Sequence, residues 1–135
     1  MPHVNIQYSA NLGPEAGMDA LCLALAEVLV AQRDGKGERV FPIGGTRVLA
    51  YPAPHFAVAD GQGDRAFVYL QVRIAPGRER ALVTAAGEAM MAVVRSHFAS
   101  LFAAGRGIGI TLQIDEGAPV FDAKHSTLHS LFAGK

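Results

Sequence analysis

Proline stands second in the opening stretch MPHVNIQYSANL, directly ahead of an alternating run. Proline donates no ladder hydrogen bond, so in a sheet it is confined to first residues, edges and bulges. A structural reading makes Pro2 the first residue of such a strand. A chemical reading removes Met1 and leaves Pro2 as the chain terminus, with a secondary amine able to take up and release a proton. Both readings are open from these residues alone.

The other residues with reactive side chains give weaker signals. Cys22 is the single cysteine. It lies inside the apolar run ALCLALAEVLV, where a free thiol behaves as a small hydrophobe. His125 and His129 have the i, i+4 spacing of a helical metal pair, but no acidic third ligand lies between them. They are expected to belong to a solvated terminal helix, and no metal site is expected. His97 falls on an apolar helix face and reads as a satisfied core or interface histidine. Asp115, Glu116 and Asp122 read as strand-end and turn residues. GQGDRA (61–66) matches G-x-G-x-x-A, yet it precedes a strand, whereas a dinucleotide fingerprint follows a strand and opens a helix. No cofactor is expected.

Positioning a terminal amine falls to the elements behind it. His3 to Tyr8 alternates, with Val4, Ile6 and Tyr8 on one side and His3, Asn5 and Gln7 on the other, which predicts a strand. NLGPE (11–15) then opens a helix, with Pro near its first position and an acid behind it. That helix is expected to run to about Gln32, on the spacing of Met18, Leu21, Cys22, Leu25, Val28 and Leu29. DGKGER (34–39) ends it, and a second strand follows from about Thr46 to Tyr51. His55 to Ala59 is a candidate short strand, with Asp60-Gly61 as a hairpin signal.

The second half repeats the first. AFVYLQVRI (66–74) alternates, APGRE (75–79) breaks it as NLGPE does, and a helix is expected to about Ala104. Gly105 and Gly107 stop that helix, IGITLQI (108–114) is a further strand, and STLHSLF forms a short terminal helix. The organisation is therefore one domain, 1–135, built from two pseudo-repeats at about 2–51 and 65–115. The fold class is α/β (α+β). Each repeat is a β-α-β unit with its two strands parallel, and together they give a four-stranded sheet with both helices on one face. The other face lacks cover and should meet other subunits, since parallel strands are normally buried on both sides. The repeat aligns Pro2 with about Arg65, in mid-chain, so only the first unit can present a free amine.

Bulk properties narrow the function classes. Half of the 135 residues are hydrophobic and 18% are charged, an apolar balance that suits an oligomer interface. Net charge is zero and the pI is near 7.0, which argues against a nucleic-acid partner. The first residues lack the basic and apolar regions of a signal peptide. The apolar run from Ala20 to Ala26 is far short of the ~20 residues of a membrane span. With one cysteine, a reducing, cytoplasmic setting is expected and no membrane association.

Two tandem β-α-β units behind a Met-Pro start resemble the tautomerase superfamily, and within it the 5-carboxymethyl-2-hydroxymuconate isomerases. MPH at the start, FPIGGTRV (41–48), ADGQGDRAFVYLQVRIAPGRE (59–79), AGEAMMAVVRSHFASL (86–101) and the terminal HSLF (129–132) carry the likeness. The resemblance implies that Pro2, freed of Met1, is the general base of a keto–enol isomerisation. It implies that Arg47 and Arg78 bind a small polycarboxylate substrate, and that the chain forms a homotrimer without cofactor. DGKGER is several residues longer than the family's turn and leads towards Arg47, so it could alter the pocket rim. A different enol or unsaturated-acid substrate, or a noncatalytic trimeric binding protein, are the alternatives.

The implied roles suit the residue types. An α-amino group titrates at about 7.7–8.0, and a secondary prolyl amine is more basic, so it must be pushed down to work as a base at neutral pH. An apolar surrounding and nearby guanidinium groups both act in that direction. Guanidinium forks bind carboxylates bidentately and stay charged.

Overall fold

The computed structural model describes residues 1–135. Four strands form one sheet: β1 (His3–Ser9), β2 (Arg47–Ala53), β3 (Arg65–Ile74) and β4 (Gly107–Glu116), in the order β2-β1-β3-β4. β1 runs parallel to β2 and β3 parallel to β4, while β1 and β3 meet antiparallel at the centre, from His3 opposite Arg73 to Tyr8 opposite Val68. The two expected β-α-β units are thus present, related by a pseudo-two-fold between β1 and β3.

One sheet face makes the core. Val4 and Ile6 of β1, and Ala66, Val68, Leu70, Val72 and Ile74 of β3, are buried at every second position. Two helices cover them, α1 (Met18–Val30) and α2 (Arg80–His97). Leu21, Leu25 and Leu29 of α1 and Ala86, Met90 and Val94 of α2 recur every four residues and join the same cluster. Cys22 is half-buried against that cluster, and burial pushes its thiol pKa up, away from nucleophilic use.

The opposite face is open. It presents His3, Asn5 and Gln7 of β1, Leu49 and Tyr51 of β2, Tyr69, Gln71 and Arg73 of β3, and Gln113 of β4. Tyr69 donates from its hydroxyl to Gln113 Oε1 at 2.6 Å across two strands. No element of the chain's own sheet-covering layer lies here, in agreement with the expected placement of both helices on one side.

Several expected boundaries change. The first helix does not start at NLGPE. Two single 3-10 turns, Ala10–Leu12 and Pro14–Ala16, come before it. Gly13 at φ +70 and Gly17 at φ +59 break the chain there, and the breaks let Leu12 and Ala16 turn into the core. The second helix ends at His97, and a separate turn of helix, α3 (Ala99–Ala103), follows. Phe98 leaves helical geometry and is buried, while the His97 ring contacts the Ala16 carbonyl through Nε2 at 2.5 Å. His97, half-buried, therefore ties the two repeats together.

His55–Ala59 is not a strand, and Asp60-Gly61 is not a hairpin. The segment has no ladder partner; a turn closes from the Gly61 amide to the Val58 carbonyl at 3.0 Å, with Ala59 at φ +57. Pro52 inside β2 and Pro54 just beyond it remove the donors that a partner strand would need. The long turn at 34–39 is folded on itself, its Asp34 carboxylate accepting from the Lys36 and Glu38 amides at 2.9 Å. The terminal helix is short, α4 (Leu128–Leu131). His125 precedes it, so His125 and His129 do not share a helical face.

Candidate active site

Pro2 is buried and lies just ahead of β1. Its carbonyl accepts the Arg47 amide at 3.1 Å, so the first backbone tie between β1 and β2 fixes Arg47 beside the chain terminus. The missing N–H costs nothing at this position, because the ladder begins only at His3.

Met1 carries the amine in this structure. It lines two adjoining clefts of about 180 and 250 Å³. Its side chain lies over Gly45, whose hydrogen stands where a Cβ would come within 2.6 Å of Met1 Cγ. The amine pKa is held below its ordinary value, first by burial, then by the positive charges of Arg78, Lys124 and Arg47, with Asp122 opposing. The terminus is therefore neither plugged into the interior nor remote from the two arginines.

Each arginine is oriented by backbone. Arg47 donates to the Gly45 carbonyl at 3.2 Å and to His3 Nε2 at 3.3 Å. A guanidinium has no acceptor, so that contact makes Nε2 the acceptor and His3 a neutral imidazole. Burial, then Arg47, keep the His3 pKa down in accord. Arg78 follows Gly77, which sits at φ +109 between β3 and α2. Its Nε donates to the Val40 carbonyl at 3.1 Å and a terminal nitrogen to the Ala75 carbonyl at 3.2 Å. The guanidinium lies 4.7 Å from the Phe41 ring centroid, a cation–π seat. Burial lowers the Arg78 pKa, Glu116 partly offsetting it. Val40 and Phe41 leave the long 34–39 turn, so that turn anchors Arg78 as well as leading towards Arg47.

Neither Arg47 nor Arg78 has a carboxylate within 4.0 Å; the chain's ion pairs are Arg65–Asp60, Lys124–Asp122, and Arg106 with Glu15 and Asp64. Two uncompensated cations beside a half-buried amine form a receptor for an anion. The other end of the sheet shows the contrast. The parallel ladders begin at His3–Arg47 and Arg65–Gly107, so Asp64 precedes β3 as Pro2 precedes β1. There Arg106 approaches Asp64 at 3.3 Å and Glu15 at 3.7 Å, and donates to the Asn11 carbonyl at 2.8 Å. The pseudo-equivalent end is thus closed by its own acids.

The family model for 5-carboxymethyl-2-hydroxymuconate isomerase matches residues 2–132, nearly the whole chain. The chain belongs to this family. It is 30% identical over 132 residues to the 5-carboxymethyl-2-hydroxymuconate Delta-isomerase of Escherichia coli, covering 98% of this chain and 99% of that one. A crystal structure of a 5-carboxymethyl-2-hydroxymuconate delta-isomerase superposes with a TM-score of 0.91 at 44% identity, over 100% of this chain and 95% of the other. The isomerase from Deinococcus radiodurans R1 gives 0.85 at 33% identity, over 97% and 93%. More distant tautomerase-fold structures share the architecture. The chain is accordingly an isomerase of the tautomerase fold.

The site also contains residues that the sequence did not place in it. Lys124, unremarked in the sequence, and Asp122, read as a turn residue, line both clefts with Met1 and His3. His125 and His129 line the larger cleft rather than a free helix. His129 is brought there by Gly44, where a Cβ would meet the His129 backbone at 3.0 Å. Among His, Cys, Asp and Glu side chains, no group of three is gathered as metal ligands, and no helix is long and apolar enough to cross a membrane.

Proposed function

We propose that the chain isomerises 5-carboxymethyl-2-hydroxymuconate, with Pro2 as general base once Met1 has been removed. The observation that carries this is the half-buried terminal amine whose ammonium form is disfavoured by the charges of Arg78 and Arg47, neither of which is paired with an acid. The family match that begins at residue 2 supports the same reading.

Loss of Met1 leaves the Pro2 nitrogen at the edge of the clefts that Met1 now lines. Burial and the neighbouring cations disfavour the ammonium form, so the amine is available as a base near neutral pH. It takes the proton of the substrate's 2-hydroxyl. The oxygen electrons move into the conjugated chain, and the same nitrogen returns the proton to a chain carbon, giving an unsaturated ketone of unchanged composition. Arg47 and Arg78 hold carboxylates and oppose the negative charge that spreads over the dienolate. The stiff pyrrolidine ring and the Pro2–Arg47 backbone tie fix the direction of the nitrogen.

The open sheet face favours a homotrimer, the assembly that the superfamily resemblance implies, with each chain contributing one base. Intact mass of the purified protein should be lower than the full sequence by one methionine. Pro2→Ala should lower kcat by about 10²–10⁴-fold with assembly intact, followed by the loss of substrate ultraviolet absorbance. Unchanged turnover in that variant rules out Pro2 as the base.

A further inference from the structure

We propose that Lys124 is the specificity-determining residue for the third carboxylate of the substrate, the one on the carboxymethyl arm. This rests on the isomerase reading above but not on Pro2 as the base. 5-Carboxymethyl-2-hydroxymuconate has three carboxylates, while Arg47 and Arg78 are two cations. The third cation whose charge acts on the terminal amine is Lys124.

Its placement is structural. The segment after β4 runs without regular structure from Gly117 to Thr127 and returns to the start of the chain. It is pinned by β4 at one end. At the other, α4 is seated on the 3-10 turn Ile43–Gly45, with the His129 backbone against Gly44. Lys124 thereby lines both clefts that Met1 lines. Arg73 lines only the smaller one. Among the positive charges acting on the terminal amine, Lys124 comes between Arg78 and Arg47, and Arg73 does not figure.

The Lys124 ammonium already holds a carboxylate, that of Asp122. Both side chains are about half exposed, at 47% and 53%. An ion pair so exposed adds little to stability, so its exchange for a ligand carboxylate is readily made. Asp122 occupies the ammonium until the substrate arm displaces it. The charged and titratable groups that share the two clefts with Lys124 are the terminal residue, His3, Arg47, Arg73, Asp122, His125 and His129, and of these only Asp122 is an acid.

The test compares 5-carboxymethyl-2-hydroxymuconate with 2-hydroxymuconate, which lacks the arm. Lys124→Met should cost the tricarboxylate about tenfold or more in kcat/KM relative to the dicarboxylate, mostly through KM, as expected for loss of a charged hydrogen bond made in the ground state too. Lys124→Arg should recover part of the difference. Asp122→Asn should lower KM for the tricarboxylate, because a competitor has been removed. Equal losses on the two substrates overturn the proposal. So does an Asp122→Asn variant that weakens the tricarboxylate as much as Lys124→Met, since the pair would then be a brace for the tail. Calorimetric binding of unreactive propane-1,2,3-tricarboxylate against glutarate involves no proton transfer. A preference for the former that Lys124→Met removes upholds Lys124 even if Pro2→Ala stays active, and its absence in the parent protein counts against Lys124 while leaving the base untouched.

Discussion

The Arg78 guanidinium is held by two backbone carbonyls and the Phe41 ring rather than by an acid. Its charge is therefore free to act on the terminus. A positive neighbour disfavours the protonated amine, so its removal raises the amine pKa. The acid limb of kcat/KM reports that group in the free enzyme. In Arg78→Gln the limb should move to higher pH, and a pH–rate profile at low substrate measures it. Arg47→Gln should shift it in the same direction, because its charge also disfavours the protonated amine. Its larger effect should be on KM, greater for polycarboxylate than for monocarboxylate enols. Pro2 could be singled out from sequence because proline before a strand is odd at any distance from other residues. Arg47 and Arg78 needed the family likeness, since nothing in their spacing separates them from surface arginines. Lys124 gave no signal at all: its meeting with Met1 depends on the path of the tail, which no local periodicity encodes.

Elements decide how well the tail is seated. Gly44 leaves room for the His129 backbone at a distance where a methyl group would overlap it. Gly44→Ala should destabilise the protein by about 1–3 kcal/mol, the usual range for overpacking, and loosen the tail. Urea unfolding gives the first quantity, and faster proteolysis between Gly117 and Thr127 the second. Leu25→Ala, fully buried in α1, should cost about 2–5 kcal/mol in the same unfolding experiment and leave the tail's cleavage in the folded state unchanged. The β-α-β repeats were legible because alternation and four-residue spacing are local patterns. The short 3-10 turns before α1 were not, because Leu12 and Ala16 are drawn inward by tertiary burial that overrides a plausible helix start. His55–Ala59 failed for a related reason: strand composition cannot become a strand without a neighbour offering free donors and acceptors.

At the scale of the whole molecule, one face of the sheet is left uncovered by the chain's own helices. Leu49 and Tyr51 are 48% and 52% exposed on its β2 edge. Leu49→Glu places a charge in that face and should reduce the assembled species, read by sedimentation velocity, while the secondary structure seen by circular dichroism persists. The need for cover was readable from two parallel strand pairs with helices on one side only. The closed end at Arg106 was not, because Glu15, Asp64 and Arg106 lie far apart in the chain and meet only when the two units pack. Both extremities of the polypeptide, Met1 and the α4 tail, gather at one end of the sheet. A purification handle fused ahead of Met1 would thus obstruct the clefts that Met1 lines. The tip at Gly35, where an added methyl would touch nothing, is one open place on this scaffold for a label or surface tether.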